Sequence, residues 1–315
     1  NYYYVEVTLD GVGCDTAISD VFAVEVVADP VIDTQAIAAQ EVCQNASLLE
    51  LTITVSGGIA SSSFDYQWYS NTINNNTGGT PIAGANTNTY TPDNTTIGTL
   101  YYYVVVTQNE SGCEVISNTS EVTITPGPTI VTQPVDSEVC LDGVANQLTI
   151  VTQNGVGIPT YQWYTNTTNS TSGGTPIAGA TNSTYDPPTN TVGEIFYYVT
   201  IAFQGGCDLI SSEVASVVVV QEPVAVANNP IQTVCLDGTP DDFQITLTGG
   251  VGNPSYQWYS NTTNSNTGGT LIAGATASTY NPGVLTAISL NYYYVEVTLD
   301  GVGCDTAISD VFAVE

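Results

Sequence analysis

The 315 residues contain no lysine, arginine, histidine or methionine. The 30 Asp and Glu therefore face no cation, and the formal net charge is −30 at pH 7. No side-chain ion pair can form anywhere in the chain. Phosphate backbones are held by Lys and Arg, so nucleic acid is excluded, and an anionic lipid surface would repel the chain. Without His or Lys there is no Ser-His or Cys-His nucleophile, no Schiff base, no P-loop lysine and no imidazole ligand for zinc. Trypsin-like proteases find no cleavage site. No run of about 18 apolar residues occurs, so no helix inserts this segment into a membrane. No CxxC spacing occurs either, which argues against zinc. No signal peptide is visible.

What is present repeats itself. NYYYVEVTLDGVGCDTAISDVFAVE stands at 1–25 and again at 291–315. Within that period YQWY recurs around Trp68, Trp163 and Trp258, each 95 residues from the next. Each Trp is followed by a GGTPIAGA-like turn, a tyrosine run (YYYVVVT, FYYVTIA, YYYVEVT) and a Gly-Cys pair. The unit is thus about 95 residues long, and repetition on that scale is the first thing to settle about a fold. The boundaries read as a C-terminal hairpin of a preceding unit at 1–29, then units at 30–126, 127–222 and 223–315. The duplicated ends imply a window cut from a longer, near-identical array.

Each unit reads as all-β. Short runs rich in Val, Ile, Thr and Tyr alternate in period two between Gly, Asn and Pro clusters. In the first unit strands are expected near 31–37, 48–56, 65–71, 80–83, 88–91, 100–108 and 113–125. Seven short strands with a Trp on the third describe an immunoglobulin-like β-sandwich. Short Pro-containing joints such as ITPGPTIV then stack the sandwiches end to end as a rod.

Facing follows from comparing copies. Val105, Thr200 and Glu296 align, and the glutamate marks that position as outward. Tyr102, Val104 and Val106 and their counterparts then point inward, with Trp68, Trp163 and Trp258 as core aromatics. Tyr3 matches Tyr293 inside, and Glu6 matches Glu296 outside. Tyr69, Tyr101 and Tyr103 fall on the outer face. They either cover the sheet by cross-strand pairing or form a stacking platform for sugar rings, which would make the chain a carbohydrate-binding array.

The seven cysteines form two series: Cys43, Cys140 and Cys235, and Cys14, Cys113, Cys207 and Cys304. Their regular placement implies disulfides and an oxidising, extracellular site. Pairing within units would give Cys43–Cys113, Cys140–Cys207 and Cys235–Cys304. Pairing between neighbours would give Cys43–Cys207 and Cys140–Cys304. An immunoglobulin-like topology puts the two series at opposite ends of a unit, and Cα atoms more than about 7 Å apart cannot bridge, yet sequence alone leaves both schemes open.

The carboxylates show no catalytic pair repeated from unit to unit: Asp186 aligns with Thr91 and Asn281. The chain is therefore not expected to be an enzyme or to carry a cofactor. Calcium at the joints through Glu41, Asp142 or Asp237 would suit an all-oxygen site, although no DxDxDG loop is present. The default role of the acids is solvated charge that keeps the chain soluble. N-x-S/T triplets, as at Asn45, Asn166 and Asn261, arise readily in so Asn- and Thr-rich a chain.

The tandem string VCxxx…YQWYxNT…GGTPIAGAT…TYxPP…YYYVxVT…GC resembles the immunoglobulin-like repeats of giant secreted adhesins of Bacteroidota, including the gliding-motility adhesins of flavobacteria. The resemblance covers all three units. It implies type IX secretion, a bacterial cell-surface location, a long extracellular filament or stalk, and neighbouring copies of the repeat as the nearest partners, with a surface or polysaccharide ligand beyond them. It also makes Thr16 and Thr306, in the Asp-Thr-Ala triplets, candidate O-glycosylation sites. Relatives carry an Arg shortly after the second Cys, where this chain has Val115, Leu209 and Thr306.

Overall fold

The computed structural model describes all 315 residues, and no helix occurs among them. The chain divides into two compact units. One comprises 1–127 with the short segments 154–157 and 204–207. The other comprises 128–153, 158–203 and 208–315.

The first complete repeat shows how the sandwich is built. Its larger sheet runs in the order Thr80–Pro81, Phe64–Asn71, Gly98–Gln108, Ser120–Thr125, Ala39–Cys43, and Glu114–Ile116 also pairs with Gly98–Gln108. The opposing layer pairs Pro30–Thr34 with Thr54–Gly57, and Leu51–Thr52 with Thr89–Tyr90. Apolar side chains from both inner faces meet between the layers: Val42, Leu51, Ile53, Trp68, Tyr102 and Val104 lie at the centre. The other two repeats have equivalent cores around Trp163 and Trp258. Each indole is fully buried, and each finds an acceptor for its N–H, the carbonyls of Thr87, Asn182 and Ala277 at 2.9–3.0 Å. That bond is what lets so polar an aromatic sit in a core.

The strand ranges correct the sequence reading in three places, the first being the expected strand 48–56, which is Leu51–Thr52 and Thr54–Gly57 with different partners. The expected strand 31–37 is Pro30–Thr34, and a strand that was not expected, Ala39–Cys43, follows in the other layer. Ala39–Cys43 pairs in parallel with Ser120–Thr125, with Cys43 opposite Thr125. The expected strand 113–125 is likewise broken into Glu114–Ile116 and Ser120–Thr125. At the break, Ser117 Oγ accepts the Val104 N–H at 2.9 Å and donates to the Asn118 carbonyl at 2.9 Å. A hydroxyl is needed there because a buried N–H without a partner costs about 1–3 kcal/mol. Ser212 and Ser309 do the same for Val199 and Val295.

The parallel pairing has a consequence for polarity. Ala39–Cys43 and Ser120–Thr125 end side by side, so Cys43 lies at the pole where the chain leaves the repeat. Gly98–Gln108 runs antiparallel to Ser120–Thr125, so Cys113 follows at the opposite pole, beside Phe64. The two cysteine series therefore sit at opposite ends of each sandwich.

Candidate functional site: the cysteine joints

Two disulfides join successive repeats. Cys43 is bonded to Cys207 and Cys140 to Cys304, each with Cα atoms 5.0 Å apart and each spanning 164 residues. The between-neighbour scheme is the one realised. Within-unit bonding fails on polarity, since each unit's two cysteines lie at its two poles. Cys14, Cys113 and Cys235, also expected as disulfide cysteines, are not bonded to one another or to the other four within 1–315. Each bond links a first-series cysteine to the second-series cysteine of the repeat that follows, and by that rule these three have no partner within 1–315.

The joints are built from backbone on both sides. The Cys43 N–H donates to the Gly205 carbonyl at 3.0 Å, and the Cys140 N–H to the Val302 carbonyl at 3.0 Å. Val139 and Val302 form a parallel bridge. On the receiving side the sulfurs are also held, with Val156 N–H 3.4 Å from Cys207 Sγ and Val251 N–H 3.3 Å from Cys304 Sγ. The two backbones approach so closely that side chains are excluded. A Cβ on Gly206 would meet Ala46 Cβ at 2.9 Å, and one on Gly303 would overlap Gly143.

The first-series turn has one recurring shape. Asn45, Asp142 and Asp237 adopt φ of 67°, 61° and 58°. The next N–H, of Ala46, Gly143 or Gly238, returns to the cysteine carbonyl at 2.8–3.0 Å. Asn and Asp are the residues that tolerate this left-handed region best after glycine. Asp142 and Asp237, candidate calcium ligands in the sequence, thus shape the turn, and Glu41 presents its carbonyl towards Gly205. Asp142, Glu222 and Asp305 line one open cavity of about 410 Å³. Glu222 is engaged there by the Asp305 N–H at 2.7 Å, and no group of three or more Cys, Asp or Glu is placed to hold a metal ion.

The outer tyrosines pair across the sheet. Tyr69 stacks on Tyr103 at 5.1 Å and 5°, and the pairs Tyr164–Tyr198 and Tyr259–Tyr294 repeat the arrangement. Tyr103 is only 3% exposed, and its hydroxyl accepts the Gly79 N–H at 3.0 Å. The loop after the Trp strand closes over the ring, held by Asn71 Nδ2 donating to the carbonyls of Asn75 and Thr77. Tyr101 is half-buried. The loop thus closes over Tyr103, while Tyr69 stays half-buried. Tyr259 donates to Glu296 at 2.9 Å, and that bond holds the phenol above its ordinary pKa.

Thr16 and Thr306 are both exposed, each two residues after a cysteine. Asn166 and Asn261 spend their side-chain amides on loop carbonyls, those of Ser170 and Ser172 and of Ser265 and Thr267. A glycan on either nitrogen would break the loop. The serines at the strand break were not singled out in the sequence, although a serine one or two residues after the isoleucine that follows each Gly-Cys was the available signal.

No curated protein matches this chain. Among solved structures it is similar to the I-band fragment I67–I69 of titin, at 13% identity and TM-score 0.49, over 92% of this chain and 98% of that one. It is similar to extracellular domains 3–5 of Drosophila OTK, at 16% identity and TM-score 0.35, over 91% and 97%. The three N-terminal domains of the bacteriophage RB49 outer capsid protein Hoc match at 13% identity and TM-score 0.43, over 87% and 95%. A family described as a domain of unknown function, DUF8696, matches three times, at 33–126, 130–221 and 224–315, and the chain belongs to that family.

Proposed function

We propose that the chain is a repeat segment of a long extracellular surface protein whose work is mechanical: it carries load and spaces an adhesive end from the cell that bears it. One observation carries this reading. The two disulfides overlap, with Cys140 inside the 43–207 loop and Cys207 inside the 140–304 loop. Pulled from its ends, the oxidised chain transmits force through residues 1–43, then across to 140–207, then through 304–315, about two-fifths of the backbone. The rest is sheltered behind covalent bonds. Such crossing staples suit a strand under tension.

Three further features support the location. Disulfides persist in oxidising compartments. A chain without Lys or Arg offers nothing to trypsin-like proteases. The resemblance to Bacteroidota surface adhesins supports a bacterial cell surface, type IX export and a part in adhesion or gliding, with Thr16 and Thr306 as sites a glycosyl transferase could reach.

Single-molecule stretching tests the mechanical reading. The oxidised chain should reach about two-fifths of the contour length it reaches after reduction. Equal lengths in both states would overturn it. Proteinase K on intact cells tests the location: the segment should be shaved from the surface, while trypsin leaves it whole. Protection from both would place it inside.

A further inference from the structure

The three outer tyrosine stacks are alike in geometry and differ in one neighbour. Tyr69–Tyr103, Tyr164–Tyr198 and Tyr259–Tyr294 have ring centroids 5.1, 4.9 and 5.0 Å apart, with planes 5°, 3° and 5° from parallel. Tyr69 stands opposite Tyr103 across the sheet as Tyr259 stands opposite Tyr294. The residue two places after the second tyrosine shares its face of the sheet and lies diagonally within reach of the first. That residue is Val105, Thr200 or Glu296. Glu296 alone can accept a proton at neutral pH. The Tyr259 hydroxyl donates to its Oε2 at 2.9 Å, whereas Val105 and Thr200 offer Tyr69 and Tyr164 no carboxylate. Tyr259 is half-buried, and so are Tyr69 and Tyr164, each of which has a complete repeat after it. Access to this phenol is therefore a property of the outer sheet face.

Loss of one electron turns a phenol into a strong acid, and the step is easy where a base takes the proton as the electron leaves. A base can do so from about 2.6–3.2 Å, and Glu296 stands within that range. We propose that Tyr259 with Glu296 is a redox-active tyrosine site, oxidised to a phenoxyl radical by hydrogen peroxide acting through a haem peroxidase and then coupled, ring carbon to ring carbon, to a phenol from solution. The electron goes to the peroxidase and the proton to Glu296, which passes it to water. A second oxidation makes the radical of the partner phenol, and the two unpaired electrons become the new C–C bond. Each ring then gives up the hydrogen of its coupled carbon and regains its O–H. In sum two phenols lose two hydrogen atoms, and one peroxide is reduced to two waters. Oxidation through a preformed phenolate would show the reverse preference. The hydrogen bond to Glu296, then burial and the Glu296 charge, hold this phenol above its ordinary pKa, so it ionises less readily than an unbonded tyrosine. Transfer to Glu296 selects Tyr259, and ionisation to water would spare it.

The site goes beyond the mechanical reading and does not rest on it, because solution chemistry of the purified chain decides it. The full chain, with its disulfides formed, is treated with a haem peroxidase, hydrogen peroxide and tyramine, and the tyramine adduct at each tyrosine is followed by mass spectrometry. Tyr259 should be labelled several-fold faster than Tyr69 or Tyr164. Glu296→Gln keeps an acceptor for the hydroxyl but removes the base, and should bring Tyr259 down to the level of the other two. Val105→Glu should raise Tyr69 several-fold and leave Tyr164 unchanged. Retention of the Cys43–Cys207 and Cys140–Cys304 links in the same peptide maps confirms that the variants keep their fold. Equal labelling of the three tyrosines, or a preference for Tyr259 that survives Glu296→Gln, would overturn the proposal.

Discussion

The same 25 residues occur at 1–25 and at 291–315, and they meet two different surroundings. Their strand register is the same: Tyr3 faces Phe22 as Tyr293 faces Phe312, and Glu6 faces Ile18 as Glu296 faces Ile308. Even the serine bond recurs, Val5 N–H to Ser19 Oγ at 2.9 Å against Val295 N–H to Ser309 Oγ at 3.0 Å. Burial does not recur. Phe22 is 62% exposed and Phe312 0%, and Tyr4 is 62% exposed while Tyr294 is 2%. Extended pairing follows, with two-residue ladders in the first copy and a nine-residue strand, Asn291–Leu299, in the second. Register is thus local and written in the hairpin, whereas strand length and stability come from the layer it packs on. An isolated hairpin is marginal in water for this reason.

Paired substitutions should break the equivalence of the two copies. Phe312 packs on Phe243 at 4.8 Å and Trp258 at 5.5 Å. Phe312→Ala should cost the third repeat about 3–5 kcal/mol, the usual toll of emptying a buried aromatic site. Phe22→Ala should stay within about 0.5 kcal/mol. Urea unfolding followed by Trp258 fluorescence reads both. Ser309→Ala strands the buried Val295 N–H and should cost about 1–3 kcal/mol, while Ser19→Ala should be silent. Tyr294→Phe removes the acceptor of the Gly269 N–H, 3.1 Å away, for about 1 kcal/mol. Tyr4→Phe should again show nothing.

The smallest difference near neutral pH concerns ionisation. Burial, with Tyr90 and Asp93 nearby, pushes the Tyr102 phenol up to about 12, and burial with Tyr185 nearby does the same for Tyr197. Burial first, then Tyr280, also raises Tyr293. A phenol whose folded pKa exceeds its unfolded value favours the fold fully below the unfolded value, near 10, and loses that contribution as pH rises through the folded one. Thermal stability should accordingly hold to about pH 10 and fall between about 10 and 12. Stability should also rise with ionic strength, since salt can only screen repulsion in a chain with no cationic side chain.

The layered all-β architecture was legible because copies of one strand vary only where they face water. Glu296 against Val105 identified the outward positions, and Val104, Val106 and Trp68 fell inward by alternation. The strand Ala39–Cys43 was not legible. It is short, carries Gln40 and Glu41, and gains its place from parallel pairing with a segment about 80 residues away. That one strand decides the joints, because it carries Cys43 to the exit pole. Without it the two pairing schemes looked equal. Tyr103 was assigned to the correct face, but its burial depends on the asparagine-held loop at 71–79, which alternation cannot reveal.

Non-reducing peptide mapping of the oxidised chain after cleavage at Asp and Glu tests the central claim most directly, that successive repeats are stapled to one another through crossing disulfides. The account predicts the linked peptides Cys43–Cys207 and Cys140–Cys304. Recovery of Cys43–Cys113, Cys140–Cys207 and Cys235–Cys304 in their place would contradict it.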